Sequence, residues 1–259
     1  MEHSDLVARY LGGLGAEIGA FKTPIPGISP IYFDRFATYA SEPTRADYHG
    51  DACELPLHDS SVRFVASSHV LEHVANPLAA LSEWFRVIRH GGIIYMVVPD
   101  RRFTFDHPRP LTQPAHMLGD HRNRVTQLDG THIDDFVYGV DWGMFSPSTP
   151  AGQEGAARDE LASLYRRSVD VGAEINIHFH TFESESAVEL IRMGNRENLW
   201  PGRIEVVEVV ERFPGSSPNG FLIVARVCKR FGKRWDGLLR RGGPLRNARK
   251  FESQNQPIP

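Results

Sequence analysis

Cysteine is scarce in this sequence: Cys53 and Cys228 are the only two in 259 residues. That is too few for a disulfide framework or a cysteine-rich zinc site. Long apolar runs are missing too. The longest, Ile93–Val98, is strand-sized and falls far short of the roughly eighteen residues of a membrane-spanning helix, so no such helix is expected. Met1-Glu2-His3-Ser4-Asp5 has neither a basic stretch nor an apolar one, so export by a standard signal is not expected and a reducing, cytoplasmic setting is. Also absent is Gly-x-Gly-x-x-Gly after the first strand, which argues against a nicotinamide dehydrogenase.

What is present suffices for a sizeable core. Hydrophobic residues make up 41% and charged residues 24%, which excludes wholesale disorder. The net charge of −3 is unevenly spread: residues 229–259 carry +7, which leaves −10 on the first 228 residues. An acidic body with a basic tail is not the electrostatic footprint of a nucleic-acid binder. In the tail, Trp235, Leu238 and Leu239 interleave with Lys233, Arg234, Arg240 and Arg241. That pattern makes either a short amphipathic helix for weak surface association or a solvated appendage.

Four segments follow from the pattern. Residues 1–100 alternate short apolar strands with helical stretches, which predicts an open, largely parallel α/β sheet. Strands are expected at residues 16–19, 30–34, about 46–51 and 62–68, and at Ile93–Val98, whose near-continuous apolar run marks burial on both faces. Asn76-Pro77 predicts a helix start, with Leu78, Leu81, Phe85 and Ile88 on one face and Gly91 as its stop. Residues 101–180 read as an irregular insertion rich in Pro, Gly and His, with Gly143–Gly155 as a flap. Residues 181–228 predict a helix, Ser186–Met193, closed by Gly194, then two strands whose short connection makes them antiparallel. Residues 229–259 are the tail.

Open α/β sheets bind ligands outside the carboxyl ends of their strands. Gly19-Ala20-Phe21, Asp34, Asp51-Ala52 and Ser68-His69 occupy those positions. An acidic side chain ending the second strand can accept both ribose hydroxyls of a nucleoside cofactor; the alternative is a solvated turn aspartate.

Leu55-Pro56-Leu57-His58-Asp59, Val70-Leu71-Glu72-His73 and Gly91-Gly92, in that order and spacing, resemble the class I S-adenosylmethionine-dependent methyltransferases. That resemblance implies a Rossmann-like seven-stranded methyltransferase sheet with an antiparallel last strand and an acceptor-binding lid inserted after strand five. It implies S-adenosylmethionine as cofactor, held by Glu17, Gly19, Ala20 and Phe21 at the methionine part. Asp34 with Arg35 would serve the ribose, Asp51 and Ala52 the adenine, and Ser68 and His69 the floor under the sulfonium. The first loop departs from the family pattern, since after Glu17 and Gly19 the later glycines are replaced and Phe21, Pro24 and Pro26 stiffen it. A subset of the family encoded beside glycosyltransferases resembles this chain in that loop and in Tyr32-Phe33-Asp34-Arg35, which implies a saccharide or glycoconjugate hydroxyl as acceptor. An N- or O-methyltransferase of a small natural product and a non-catalytic cofactor-binding scaffold are the other readings.

Methyl transfer to an alcohol needs the hydroxyl placed in line and its proton removed, by a general base or by metal coordination. The insertion supplies His, Asp and Glu for that. Asn176, His178 and His180 alternate as on a strand, which predicts one shared face. His178, His180, His132 and Asp106 are the candidate catalytic residues. Glu72 and His73 are expected only to pin a helix start, and His116 and His121 to face solvent from a helix capped by Thr112. Mg2+ on Asp106, Asp134 or Asp135 is a further expectation, although no spacing identifies metal ligands.

Overall fold

A computed structural model describes residues 1–39 and 42–230. Seven strands form one sheet: β1 (Gly15–Ile18), β2 (Ile31–Asp34), β3 (Tyr48–His49), β4 (Val62–Ser68), β5 (Ile88–Pro99), β6 (Gly202–Phe213) and β7 (Gly220–Lys229). Their order is β3-β2-β1-β4-β5-β7-β6. The first five strands are parallel, and β7 runs antiparallel to both β5 and β6. The helices are α1 (His3–Tyr10), α2 (Pro77–Val87), α3 (Pro114–Asn123), α4 (Ile133–Gly139), α5 (Trp142–Phe145), α6 (Glu154–Asp170) and α7 (Ser184–Arg196). This is an α/β, Rossmann-like sheet with a reversed last strand, as the sequence pattern predicts. Among the described residues no helix is long and apolar enough to cross a membrane. Cys53 and Cys228 are free thiols. The tail residues Lys233–Arg241 lie outside the described residues.

The apolar run of β5 is covered on both faces because successive side chains alternate. Ile93, Tyr95 and Val97 pack with Leu6, Val7 and Leu11 of the α1 region. Ile94, Met96 and Val98 pack with Leu78, Leu81 and Phe85 of α2 and Leu190 and Ile191 of α7. Among the described residues the sheet is thus sandwiched unequally, with α1 on one face and several helices on the other.

The start of α2 is as its sequence dictates. The Asn76 side chain accepts the Ala79 N–H at 3.0 Å and Pro77 takes the first turn, where a missing N–H costs nothing. Its end is a correction: the helix stops at Val87, and Ile88 already pairs with Val62 in the sheet. Sheet pairing outcompetes one more helical turn, and Gly91 lies inside β5 instead. Gly194 is also not a helix stop, because α7 continues to Arg196. Gly194 serves packing: a Cβ there would sit 2.0 Å from Cη2 of Trp200.

The insertion is more helical than its composition suggests. Residues 154–170 form a 17-residue helix with only Ala162, Tyr165 and Ser168 buried. Its apolar stripe is too thin to register as periodicity, while its Ala, Leu, Glu and Arg content supplies strong intrinsic propensity. The insertion has its own core of Ile133, Phe136, Val137, Trp142, Ala162 and Tyr165. Phe145 packs against that core and Tyr138 is exposed. Residues 143–155 are divided between α5, α6 and a turn tied down by Trp142 Nε1–H on Thr149 Oγ1 at 2.9 Å. None of them lines the large cavity described next.

Candidate functional site

A cavity of about 320 Å3 opens at the carboxyl ends of β1, β2, β3 and β4. The chain runs outward from β1 to β2 and β3, then returns to place β4 on the other side of β1. Such a switch leaves a crevice that no crossover covers. Gly19, Phe21, Asp34, Arg35, Asp51, Ala52, Ser68 and His69 all line it. Two of the sequence-predicted binding residues do not: Ala20 is buried beside it and Glu17 lies beneath it.

Gly19 turns the chain away from β1 with φ of 69°. A Cβ there would meet Val70 Cγ2 at 2.4 Å, so both backbone conformation and space require glycine. The rest of the loop is held from below, where Glu17 Oε1 accepts the Ile25 N–H at 2.8 Å. Burial pushes the Glu17 carboxyl up to about 7, against the opposing pull of that hydrogen bond. Its folded-state pKa therefore lies above the unfolded value of 4.5. Between those values the folded chain keeps a proton that the unfolded chain has released, so stability falls as pH rises through the window. Glu17→Gln keeps an acceptor for Ile25 and removes the ionisation. It is expected to flatten the fall in urea midpoint between about pH 5 and pH 7.5, as measured by denaturation at each pH.

Asp34 ends β2, is 8% exposed, and accepts the Phe36 N–H at Oδ1 at 3.1 Å. Burial raises its pKa, partly offset by that N–H and by His49. Arg35 bridges two carboxylates. It meets Asp51 at 3.0 Å and Glu174 through Nε at 2.6 Å and through Nη2. This fork ties residues 171–183 across the mouth of the cavity, which Ile175 and Asn176 then help to line. Glu174 had no local signal, being 139 residues from its partner.

His69 and His73 line the cavity floor together with Gln127. His69 has φ of 54°. Burial, then the nearby His178, lowers its pKa to about 4. The His73 ring meets the Ile177 carbonyl through Nδ1 at 3.2 Å, and burial lowers its pKa to about 3. Both rings are therefore neutral near pH 7. Glu72 lies between them, 3.8 Å from His69 Nδ1 and from His73 Nε2. It is fully buried, neither carboxyl oxygen has a hydrogen-bond partner, and burial raises its pKa well above normal. Glu72 and His73 form a single 3-10 turn, Leu71–His73. His73, which the sequence reading assigned to structure alone, faces the cavity.

His178 packs edge-on to His73 with ring centroids 4.6 Å apart. Its Nδ1 lies 2.5 Å from Asp106 Oδ2. Asp106 Oδ1 accepts from Arg109 Nη1 at 2.7 Å, and Arg109, fully buried, also reaches Asp135. Burial would raise the Asp106 pKa, but the His178 hydrogen bond and the Arg109 charge hold it below the usual range. An ionised Asp106 accepts the Nδ1–H of His178, which holds the proton on Nδ1 and leaves Nε2 as the lone-pair nitrogen. Chemically this is an oriented base, one ring removed from the cavity.

His180 and His132 do not join this group. Residues 173–183 run outside the sheet, with a bend at Ile177. Asn176 lines the cavity, His178 meets Asp106, and His180 meets Asp120 at 3.7 Å. His132 lies with His180. Neither lines the cavity, so the expectation of one shared pocket is corrected. The proposed magnesium carboxylates are each matched with arginine: Asp106 and Asp135 with Arg109, and Asp134 with Arg166. Thr112 bonds Thr181 rather than capping α3.

Residues 32–96 match the family described as Methyltransferase domain. A protein of Mycolicibacterium smegmatis described as a probable S-adenosylmethionine-dependent methyltransferase is 43% identical over 82 residues, 31% of this chain and 31% of that protein. An uncharacterized 37.1 kDa protein in transposon TN4556 of Streptomyces fradiae is 45% identical over 60 residues, 23% of this chain and 17% of that protein. The matches thus span under a third of these curated relatives' length. Among solved structures, a SAM-dependent methyltransferase of Methanosarcina mazei is 18% identical with a TM-score of 0.47, covering 89% of this chain and all of that one. One from Thermotoga maritima, described as a possible histamine N-methyltransferase, is 16% identical with a TM-score of 0.44, covering 87% of this chain and 88% of that one.

Proposed function

We propose that this chain transfers the methyl group of S-adenosylmethionine to a hydroxyl of a saccharide or glycoconjugate. The observation that carries the cofactor half is Asp34, a buried carboxylate at the end of β2, in one cavity with Gly19, Asp51 and Ser68. The matched segment 32–96 spans the β2, β3 and β4 ends and supports the same reading. When bound, the cofactor supplies an electrophilic methyl on a sulfonium. Asp34 would accept the ribose hydroxyls, and the Asp51 region would meet the base.

The acceptor half rests on the Asp106–His178 pair. A neutral alcohol attacks well only as its proton leaves. In the proposed step the hydroxyl oxygen forms a bond to the methyl carbon as the carbon–sulfur bond breaks, leaving the thioether. The hydroxyl proton passes past His73, through one bridging water, to Nε2 of His178, whose imidazolium Asp106 stabilises. The saccharide is taken from the family subset that the Tyr32–Arg35 segment and the Pro-containing first loop resemble.

The test has two stages on the full chain. Calorimetry is expected to give saturable S-adenosylmethionine binding, and absence of binding at millimolar cofactor would sink the proposal. Transfer of a radiolabelled methyl group is then read over sugars, nucleotide sugars, phenols and amines. Label on sugar hydroxyls is the expected result; label on amines or phenols alone overturns the saccharide assignment.

A further inference from the structure

Away from the cavity, four side chains that the methyl-transfer reading does not use converge on one point. His116 and Asp120 sit one turn apart on α3, His132 precedes α4, and His180 comes from the segment 173–183. Their ligand atoms all lie within 4.8 Å of one another. His116 Nε2 is 3.1 Å from His132 Nε2 and 3.3 Å from Asp120 Oδ2. His132 Nε2 and His180 Nε2 are each 3.7 Å from the same oxygen. Ligands held at 2.0–2.1 Å around a tetrahedral zinc ion stand about 3.3 Å from one another. We propose that His116, Asp120, His132 and His180 form a tetrahedral site for a divalent transition-metal ion of the zinc class.

Three further observations favour a cation over a purely hydrogen-bonded cluster. Asp120 Oδ2 is buried with no hydrogen-bond partner, although three imidazoles surround it. An orphaned carboxylate oxygen is costly unless a charge meets it. The tautomer of His132 is set from outside: Asp129 accepts from the Thr131 hydroxyl at 2.5 Å, so that hydroxyl accepts from His132 Nδ1–H at 3.0 Å. Nε2 of His132 is left as a bare lone pair facing the cluster. Such outer partners are what orient metal-ligating imidazoles. Finally, nitrogen donors with one carboxylate suit zinc and its first-row neighbours rather than magnesium. His180 Nε2 also lies 3.3 Å from the Ala75 carbonyl, a contact that a bound ion would replace.

The location assigns the site a structural task. It joins two helical elements of the insertion to segment 173–183, against Ala75 at the end of the turn that carries His73. A metal here fixes the insertion on the sheet and sets the register of His178, two residues from a ligand. His116 is exposed while the other three ligands are buried, so the site has one open corner for metal exchange.

The test uses the full, untagged chain stripped with a chelator. Zn2+ titration is expected to show one ion bound per chain, and Co2+ to give the intense visible bands of a tetrahedral centre. His116→Ala, at the exposed corner, is expected to keep the fold by circular dichroism and to bind Zn2+ at least about 100-fold more weakly. His178→Ala, outside the cluster, is expected to bind Zn2+ as the parent does. No Zn2+ bound at tenfold molar excess, or parental affinity in His116→Ala, overturns the site. These readouts involve no methyl transfer, so they stand or fall separately from the proposed activity.

Discussion

Asp34→Ala is expected to bind S-adenosylmethionine about 100-fold more weakly than the parent chain while melting at a similar temperature. The carboxylate is buried at the end of β2 and accepts the Phe36 N–H on Oδ1, with the backbone N–H groups of Arg35 and Phe21 also acting on it. It lines the cavity with Gly19, Asp51 and Ser68. Hydrogen bonds to an ionised group contribute about 1.5–3 kcal/mol each, so two to the ribose diol make a loss of about 100-fold a lower bound. Folding should lose little, because the substitution also removes the desolvation that raises the Asp34 pKa. Asp34→Asn keeps the shape and one acceptor, and is expected to lose only about tenfold, the loss of one tenfold step being about 1.4 kcal/mol. S-adenosylhomocysteine, which shares the ribose, should weaken in parallel. Calorimetry with both ligands checks this, and parental affinity in Asp34→Ala would remove the residue from the cofactor site.

His178→Ala is expected to lower turnover about 100-fold or more while S-adenosylmethionine affinity changes less than about threefold. A positioned general base contributes 10²- to 10⁴-fold, and His178 stands behind His73 rather than in the cavity wall. Asp106→Asn is the more discriminating variant. Arg109 keeps its bonds to Asp135, so the buried guanidinium is not left unpaired and the fold should persist. The neutral amide no longer requires the proton on Nδ1, so turnover should fall. Turnover is measured under single-turnover conditions with the acceptor found by labelling. Parental turnover in both variants would mean that the proton leaves by another route, with His69 or His73 as the next groups to test.

A large part of the half of the chain that forms the cavity was legible from local chemistry. Asn76-Pro77 specifies a helix start whatever surrounds it, because the cap and the missing N–H are satisfied within one turn. The run Ile93–Val98 specifies a strand covered on both sides, because no other element buries six successive apolar residues so economically. Asp34, Asp51 and Ser68 were readable as cavity residues because, in a parallel sheet, the carboxyl ends of neighbouring strands face the same crevice. Where sequence alone misread, two local preferences competed. Ile88 fits the α2 face and the β5 ladder equally well, and pairing with Val62 decided the outcome. Gly194 looks like a helix stop until Trp200 packs on it.

The sequence by itself determined the strand-and-helix alternation, the reversed last strand pair and the identity of the residues at the strand ends, all of which depend on neighbours within a few residues. Only the tertiary structure decided how the histidines were divided. His178 and His180 are two residues apart, yet one meets Asp106 and the other Asp120. Likewise the Arg35–Glu174 fork joins positions 139 residues apart. Partners that distant are chosen by how α3, α4 and the segment 173–183 pack against the sheet. Packing is a property of the whole core, and no local pattern encodes it.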